Sequence, residues 1–256
     1  MKIAVETPTK FIQEFVRYTD YDFVEGSECL QDPEYYEQYK KIRSIYPQRE
    51  LYLDNGAFLS TSGTPMDTNQ YLDLADRLNA TVTILPDVLG DKTATLLRVE
   101  KVIQRFLVRK KSGHLRVMGV LQGKSMKDYD SCLREYMRMG VDIFGIPYYA
   151  IDRELWLSDG LQSGVIPSIA AIHILGLRNP FDVLAFRRYS QVISVDSSLP
   201  IMSGRHGHRF RDGYFSSHKF HSSETLNPEH KKIVIDNIKL LRDMASNKVT
   251  QIRIKD

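Results

Sequence analysis

Residues 116–148 read RVMGVLQGKSMKDYDSCLREYMRMGVDIFGIPY, and their pattern decides the fold. An apolar, β-branched run gives way at Gln122, apolar residues recur at helical spacing from Met126 to Met139, and a second apolar run, DIFGIPY, follows. Strand, helix and strand in that order predict a parallel pair with a crossover helix, because parallel strands cannot be joined by a tight turn. Outward from this unit the alternation repeats. KIAVE, YDFVEG, LYLDNGA and TVTILPDVL precede it and AAIHILGL and QVISVD follow, which makes eight runs. Helical periodicity separates most of them, as at residues 69–78, 91–108 and 180–189. Asp91 and Asn179 stand where helix-capping side chains belong, the second followed by Pro180 at a first helical position. Eight such repeats close naturally into a (β/α)8 TIM barrel, and residues 1–256 are expected to form that one domain. The acidic, tyrosine-rich stretch 20–46 is expected to hold the second strand and an irregular helical excursion. Residues 228–245 should form one amphipathic helix closing the barrel.

A chain of 256 residues with 42% hydrophobic content can bury one sizeable core. Its longest uncharged apolar stretches, such as residues 168–177, run to about ten residues against the ~20 a bilayer span needs, so no membrane segment is expected. The start, MKIAVETPTK, lacks the basic end and apolar centre of a signal peptide, and Cys29 and Cys132 cannot build a disulfide framework. These readings place the protein in a reducing cytoplasm with both thiols packed as small hydrophobes. The net charge of +3 permits a polyanionic partner without demanding one. Its distribution is more telling: Arg205, Arg209, Arg211 and Lys219 face only Asp212, interleaved with His206, His208, His218, His221 and aromatic residues. The stretch reads either as a phosphate-facing stripe or as a solvated loop.

Buried parallel strands should be almost wholly apolar, so a polar residue at a strand's C-terminal end needs a reason, and in barrels that end carries the active site. Asp54, Asp87, Gln122 and Asp196 all fall there. One alone could cap a turn; four on one rim call for another account. Two carboxylates facing a common cleft suit chemistry at an anomeric carbon, and Asp54 and Asp196 are the candidate pair. Asp87 and Gln122 offer the acceptors and donors needed to read a guanine-like edge. Phe58 is placed to stack on a flat ring, or to serve as a core aromatic.

From about residue 51 to 210 the sequence resembles the tRNA-guanine transglycosylase family, including relatives that insert 7-deazaguanines into DNA. Asp54-Asn55-Gly56-Ala57-Phe58 matches the family's Asp-Ser-Gly-Gly-aromatic motif in its Asp and its aromatic. Asp87 in ILPDVLGD matches the base-recognising Asp, and Gly119-Val120-Leu121-Gln122-Gly123 the motif of the base-binding Gln. Gly145-Ile146-Pro147-Tyr148 stands where the family has a Gly-Gly-Leu loop against the heterocycle, and Leu175, before Gly176, where it often has a ring-packing methionine. The nucleophile motif is matched over twelve residues, from Asp196 through Pro200 to Ser203-Gly204-Arg205-His206-Gly207. The resemblance implies a base-exchanging pentosyltransferase with Asp196 as nucleophile and Asp54 as acid/base. It implies substrate contacts from Asp87, Gln122, Phe58, Gly145, Pro147, Tyr148 and Leu175, and no cofactor.

Two departures point to the DNA-acting branch, found largely in bacteriophages and bacterial DNA-modification clusters. Ile201-Met202 replaces the Thr-Arg pair with which the tRNA enzymes contact RNA, and with only two cysteines, both upstream, the chain lacks the C-terminal structural zinc module. No metal site is expected. The partners implied are DNA, held by Arg205, His206, His208, Arg209, Arg211 and Lys219, and a free 7-deazaguanine base such as preQ0; the oligomeric state is left open. The alternatives are the same chemistry on tRNA and a non-catalytic nucleic-acid-binding subunit of a modification complex. A barrel glycoside hydrolase would use similar carboxylates, but such sites usually display several tryptophans and this chain has only Trp156.

Overall fold

The structure, a computed structural model, describes residues 1–56, 66–113, 115–149, 151–216 and 225–249. Eight strands, β1 (Lys2–Ala4), β2 (Asp22–Glu25), β3 (Leu51–Asp54), β4 (Val82–Ile84), β5 (Arg116–Val120), β6 (Ile143–Pro147), β7 (Ala171–Leu175) and β8 (Val192–Asp196), form one parallel sheet. Their order is β1-β8-β7-β6-β5-β4-β3-β2. The two ends of that order meet at Asp20, whose backbone N–H donates to the Ile3 carbonyl at 2.8 Å and whose carboxylate accepts from the Ile3 N–H at 2.9 Å. The result is a (β/α)8 barrel.

Strand alternation sorts the side chains into two cores. Ala4, Tyr21, Phe23, Tyr52, Val82, Ile84, Met118, Val120 and Ile143 fill the barrel interior. Ile3, Val24, Leu51, Leu53, Val117, Leu121, Phe144, Ile146, Ile172, Ile174 and Val195 point outward and are covered by the helices. The interior is unusually aromatic: Tyr21 and Tyr52 lie 4.5 Å apart by ring centroid, and Phe23 stacks on His173 at 5.7 Å with their planes 9° apart.

The helices begin where the sequence supplies caps. The Asp91 carboxylate accepts the Ala94 N–H at 2.9 Å ahead of helix Lys92–Ser112. Ser125 caps helix Met126–Met139, which ends at Gly140 with φ of 78°. Pro180 lies outside its helix, which runs only from Asp182 to Phe186; the Asn179 side chain instead accepts the Phe181 N–H in a turn before it. Stretch 20–46 is more regular than expected. After β2 it holds helices Gly26–Gln31 and Pro33–Ile45, the second capped by Asp32, and its buried face carries Tyr35 and Tyr39 packed edge to face. Aromatic core residues among many acids hide the helical stripe from an aliphatic count.

Helix Pro228–Ala245 closes the barrel with Val234, Ile238, Leu241 and Met244 inward. Arg242 pairs with Asp20, just before β2, and the Met244 carbonyl accepts from Arg187, just before β8. The end of this helix therefore lies at the N-terminal end of the barrel, and its start at the opposite one, to which the strands' C-terminal ends point. Cys29 and Cys132 are buried and free. Among the described residues no helix is long and apolar enough to cross a membrane.

Candidate active site

Along each strand the inward positions recur every second residue, and the last of them reaches the C-terminal rim. Continuing Ala4 leads to Glu6, Phe23 to Glu25, Tyr52 to Asp54, Val120 to Gln122, Ile143 and Gly145 to Pro147, His173 to Leu175, and Ser194 to Asp196. These residues line one cavity of about 440 Å³, within the roughly 300–1,000 Å³ of small-molecule sites. Asp87, three residues past β4, lines it from the following loop, and Gln122 stands two past β5, so both lie beyond their strands. Asp54, Asp87, Gln122 and Asp196 thus meet at one barrel mouth.

Asp196 is held from several sides. Its Oδ1 accepts from His173 Nε2 at 2.9 Å and from the Gly176 N–H at 3.2 Å, while His173 Nδ1 lies 2.8 Å from the Ser194 hydroxyl. Burial lowers the His173 pKa to about 3, so the ring is neutral; a proton on Nε2 for Asp196 leaves Nδ1 to accept the Ser194 O–H. Gly176 takes φ of 70°, a left-handed conformation that favours glycine, and the buried Arg153 donates to its carbonyl at 2.6 Å. Burial, offset in part by hydrogen bonds from Glu6 and Gly176, raises the Asp196 pKa to about 6.

Asp54 is turned by its own loop: its Oδ2 accepts the Gly56 N–H at 2.8 Å, and Gly56 takes φ of 72°. Burial raises its pKa above the ordinary value. Between these aspartates and the opposite wall runs an amide network. Asn55 donates to Asp87 Oδ1 at 2.9 Å and to the Leu85 carbonyl at 2.7 Å. Gln122 donates to Asp87 Oδ2 at 2.6 Å, lies 2.8 Å from the Tyr149 hydroxyl, and accepts the Gly90 N–H at 2.8 Å. The Gln122 amide is therefore engaged on both sides and fully buried, whereas Asp87 keeps lone pairs that no described residue uses. Burial raises the Asp87 pKa to about 6.

Of the other expected substrate residues, Pro147, Tyr148 and Leu175 line the cavity. Gly145 does not: it is a β6 residue where a Cβ would stand 2.9 Å from Leu175, and its missing side chain gives Leu175 room. Phe58 lies outside the described residues, as do Lys219, His218 and His221. Arg205, His206, His208, Arg209 and Arg211 line no part of the cavity. Arg205 ends helix Leu199–Arg205, whose first turns do, the others follow it, and all precede the start of helix Pro228–Ala245, on the same end of the barrel. Asn237 fixes this segment by donating to the His208 carbonyl at 2.9 Å and accepting the Phe210 N–H at 3.0 Å. Among the described residues no group of three or more His, Cys, Asp or Glu side chains is arranged to hold a metal.

Sequence reasoning missed Glu6, Glu25, Asn55, Tyr149 and His173. The first two had a signal, since KIAVE ends in Glu6 and YDFVEG carries Glu25 just before its final glycine, both in phase with the inward residues. His173 broke an apolar run in the same phase. Asn55 and Tyr149 carried none that distinguished them from turn residues.

No protein-family model matches the chain, and no curated protein does. Several solved structures share its fold. KGPDC from Streptococcus mutans superposes with a TM-score of 0.53 at 12% identity, covering 96% of this chain and 97% of that one. A 4-hydroxy-2-oxoglutarate/2-dehydro-3-deoxyphosphogluconate aldolase from TTHB1 gives 0.52 at 8% identity, with coverage of 94% and 92%. A designed cube-shaped protein cage gives 0.55 at 11% identity, with coverage of 96% and 73%. At such identities the likeness is one of fold.

Proposed function

We propose that this chain is a base-exchanging transglycosylase that replaces guanine in DNA with a free 7-deazaguanine such as preQ0, through a covalent bond between Asp196 and the sugar. The observation that carries the reading is the presence of Asp54 and Asp196 on the wall of one cavity that also presents Asp87, oriented by two amides. An acid/base, a nucleophile and a purine-edge acceptor are what the reaction needs from the protein.

The nucleotide must first leave its stack, which costs a few kcal/mol, or be met single-stranded. Asp87 accepts N–H groups of the guanine edge, while Asn55 and Gln122 hold its carboxylate in place. His173 and Gly176 fix one oxygen of Asp196 and with it the plane of the carboxylate that attacks C1′. The C1′–N9 electron pair goes to N9, which takes a proton by way of Asp54 as guanine departs, and a glycosyl ester remains on Asp196. A 7-deazaguanine then occupies the same cavity, loses its N9 proton to Asp54 and attacks C1′, so two inversions retain configuration.

DNA is favoured over tRNA because the position at which the tRNA enzymes have Thr-Arg is apolar here: Ile201 and Met202 both line the cavity and bring no cation. Arg205, Arg209 and Arg211, with His206 and His208, supply phosphate contacts on the same end. Incubation with labelled guanine and either duplex DNA or bulk tRNA tests both points. Label should enter DNA, and Asp196→Ala should abolish both exchange and the denaturation-resistant protein–DNA adduct; Asp196→Ala protein exchanging at the normal rate would refute the assignment.

A further inference from the structure

The mechanism above leaves the buried acid Glu25 without a task. Glu25 and Asp54 are directly paired across β2 and β3, both line the cavity, and their carboxyls share a hydrogen bond. The approach is built in: Gly26 follows Glu25 where a Cβ would stand 2.6 Å from the Asp54 carbonyl. Two ionised carboxylates cannot share a hydrogen bond, so the pair holds one proton. Its surroundings say on which side. Asp54 Oδ2 receives the Gly56 N–H, which favours charge there. The buried Glu25 Oε2 receives no N–H or hydroxyl donor from the described residues, which is tolerable for a neutral acid and costly for a carboxylate.

We propose that Glu25 is the proton store of this site, passing its proton through Asp54 to N9 of the departing guanine and recovering it from the incoming base. The inference rests on the base-exchange reading. In the first half-reaction the C1′–N9 electron pair goes to N9, which takes the stored proton, while an Asp196 oxygen bonds to C1′. The Glu25–Asp54 pair is left doubly ionised as Asp196 becomes a neutral ester, so the pair and Asp196 together carry two negative charges before and after. In the second, the incoming base gives its N9 proton back to the pair and the ester bond breaks. Keeping the charge constant matters because, among the described residues, no Lys, Arg or His lines the cavity with the pair. Glu6, Asp87 and Asp196 face it across the cavity, with Glu28 further along the wall. Behind it lie the Tyr35 and Tyr71 phenols and the Cys29 thiol, all held un-ionised by burial, and His173 is neutral.

Two measurements on Glu25→Gln test this, because the amide still donates to Asp54 but has no proton to give. In protein labelled with ¹³C at glutamate carboxyls, one neutral-acid resonance of the parent at pH 7 should be missing from the variant, while any that Glu6 gives is kept. In base exchange, kcat should fall by about 10²-fold or more and the alkaline limb of its pH profile should move at least one pH unit lower, with KM for the free base nearly unchanged. Glu25→Asp, which keeps an acid, should restore the limb, and it serves if the Gln variant does not fold. A parent with no such resonance, or a Gln variant with an unmoved limb, overturns the proposal. A parent that shows the resonance but exchanges base on neither DNA nor tRNA overturns the base-exchange reading instead and leaves the shared proton standing.

Discussion

Asp87 and Asp196 illustrate how burial sets chemistry at single residues. Each is a carboxylic acid up to about pH 6 and a carboxylate above it. An attacking Asp196 must be ionised, so the rate of adduct formation should rise about tenfold per pH unit below 6 and level off above it; a rate independent of pH from 4.5 to 6.5 would count against Asp196 as nucleophile. Asp87→Asn replaces one acceptor oxygen with a donor facing the amide of Asn55 or Gln122. KM for the free base should rise about tenfold or more with a smaller change in kcat, measured by labelled-base exchange at saturating DNA. At this scale the sequence was legible where a polar residue stood at the inward phase of a strand end, as for Asp54 and Asp196. It was silent on Asn55, whose position in a turn does not disclose that its amide reaches Asp87 from another loop.

At the scale of elements, the Ser203-Gly204-Arg205 stretch shows a motif serving packing as much as contact. Ser203 is buried and its hydroxyl accepts the Ser216 N–H at 2.9 Å. A Cβ on Gly204 would stand 2.4 Å from a Val234 methyl and 2.8 Å from the Val234 backbone nitrogen, so this glycine permits helices Leu199–Arg205 and Pro228–Ala245 to touch. Gly204→Ala should cost about 1–3 kcal/mol in urea unfolding, since the obstacle is backbone that cannot rotate away, and should lower activity through the displaced first helix. An unchanged unfolding midpoint would show that the helices have room. The same contact explains why a glycine in a sequence motif cannot be assigned to substrate by spacing alone: Gly145, expected beside the heterocycle, turned out to make room for Leu175 inside the barrel.

For the whole molecule, the buried acids set the direction in which pH moves stability. Burial raises the pKa of Glu6, Glu25, Asp54, Asp87 and Asp196, while it lowers that of His173. Between about pH 4 and 6 the acids take up protons on folding and the histidine gives one up, so the folded chain holds the surplus. Each surplus proton lowers stability by about 1.4 kcal/mol per pH unit as pH rises. The urea midpoint should therefore be lower at pH 7 than at pH 5, and a higher one would mean that these carboxyls are not buried together. The alternation of apolar runs and helical stripes determined the barrel by itself, because parallel strands need crossovers and eight of them close a sheet on itself. The inward phase of the strands likewise determined which end residues reach the mouth, except for Asp87, which comes from a loop out of that phase. What only the tertiary structure decided is which of those residues touch: that Glu25 lies beside Asp54, Asn55 beside Asp87 and His173 beside Asp196. These pairs join different strands and loops, and their contact follows from barrel closure and stagger, which no local pattern encodes.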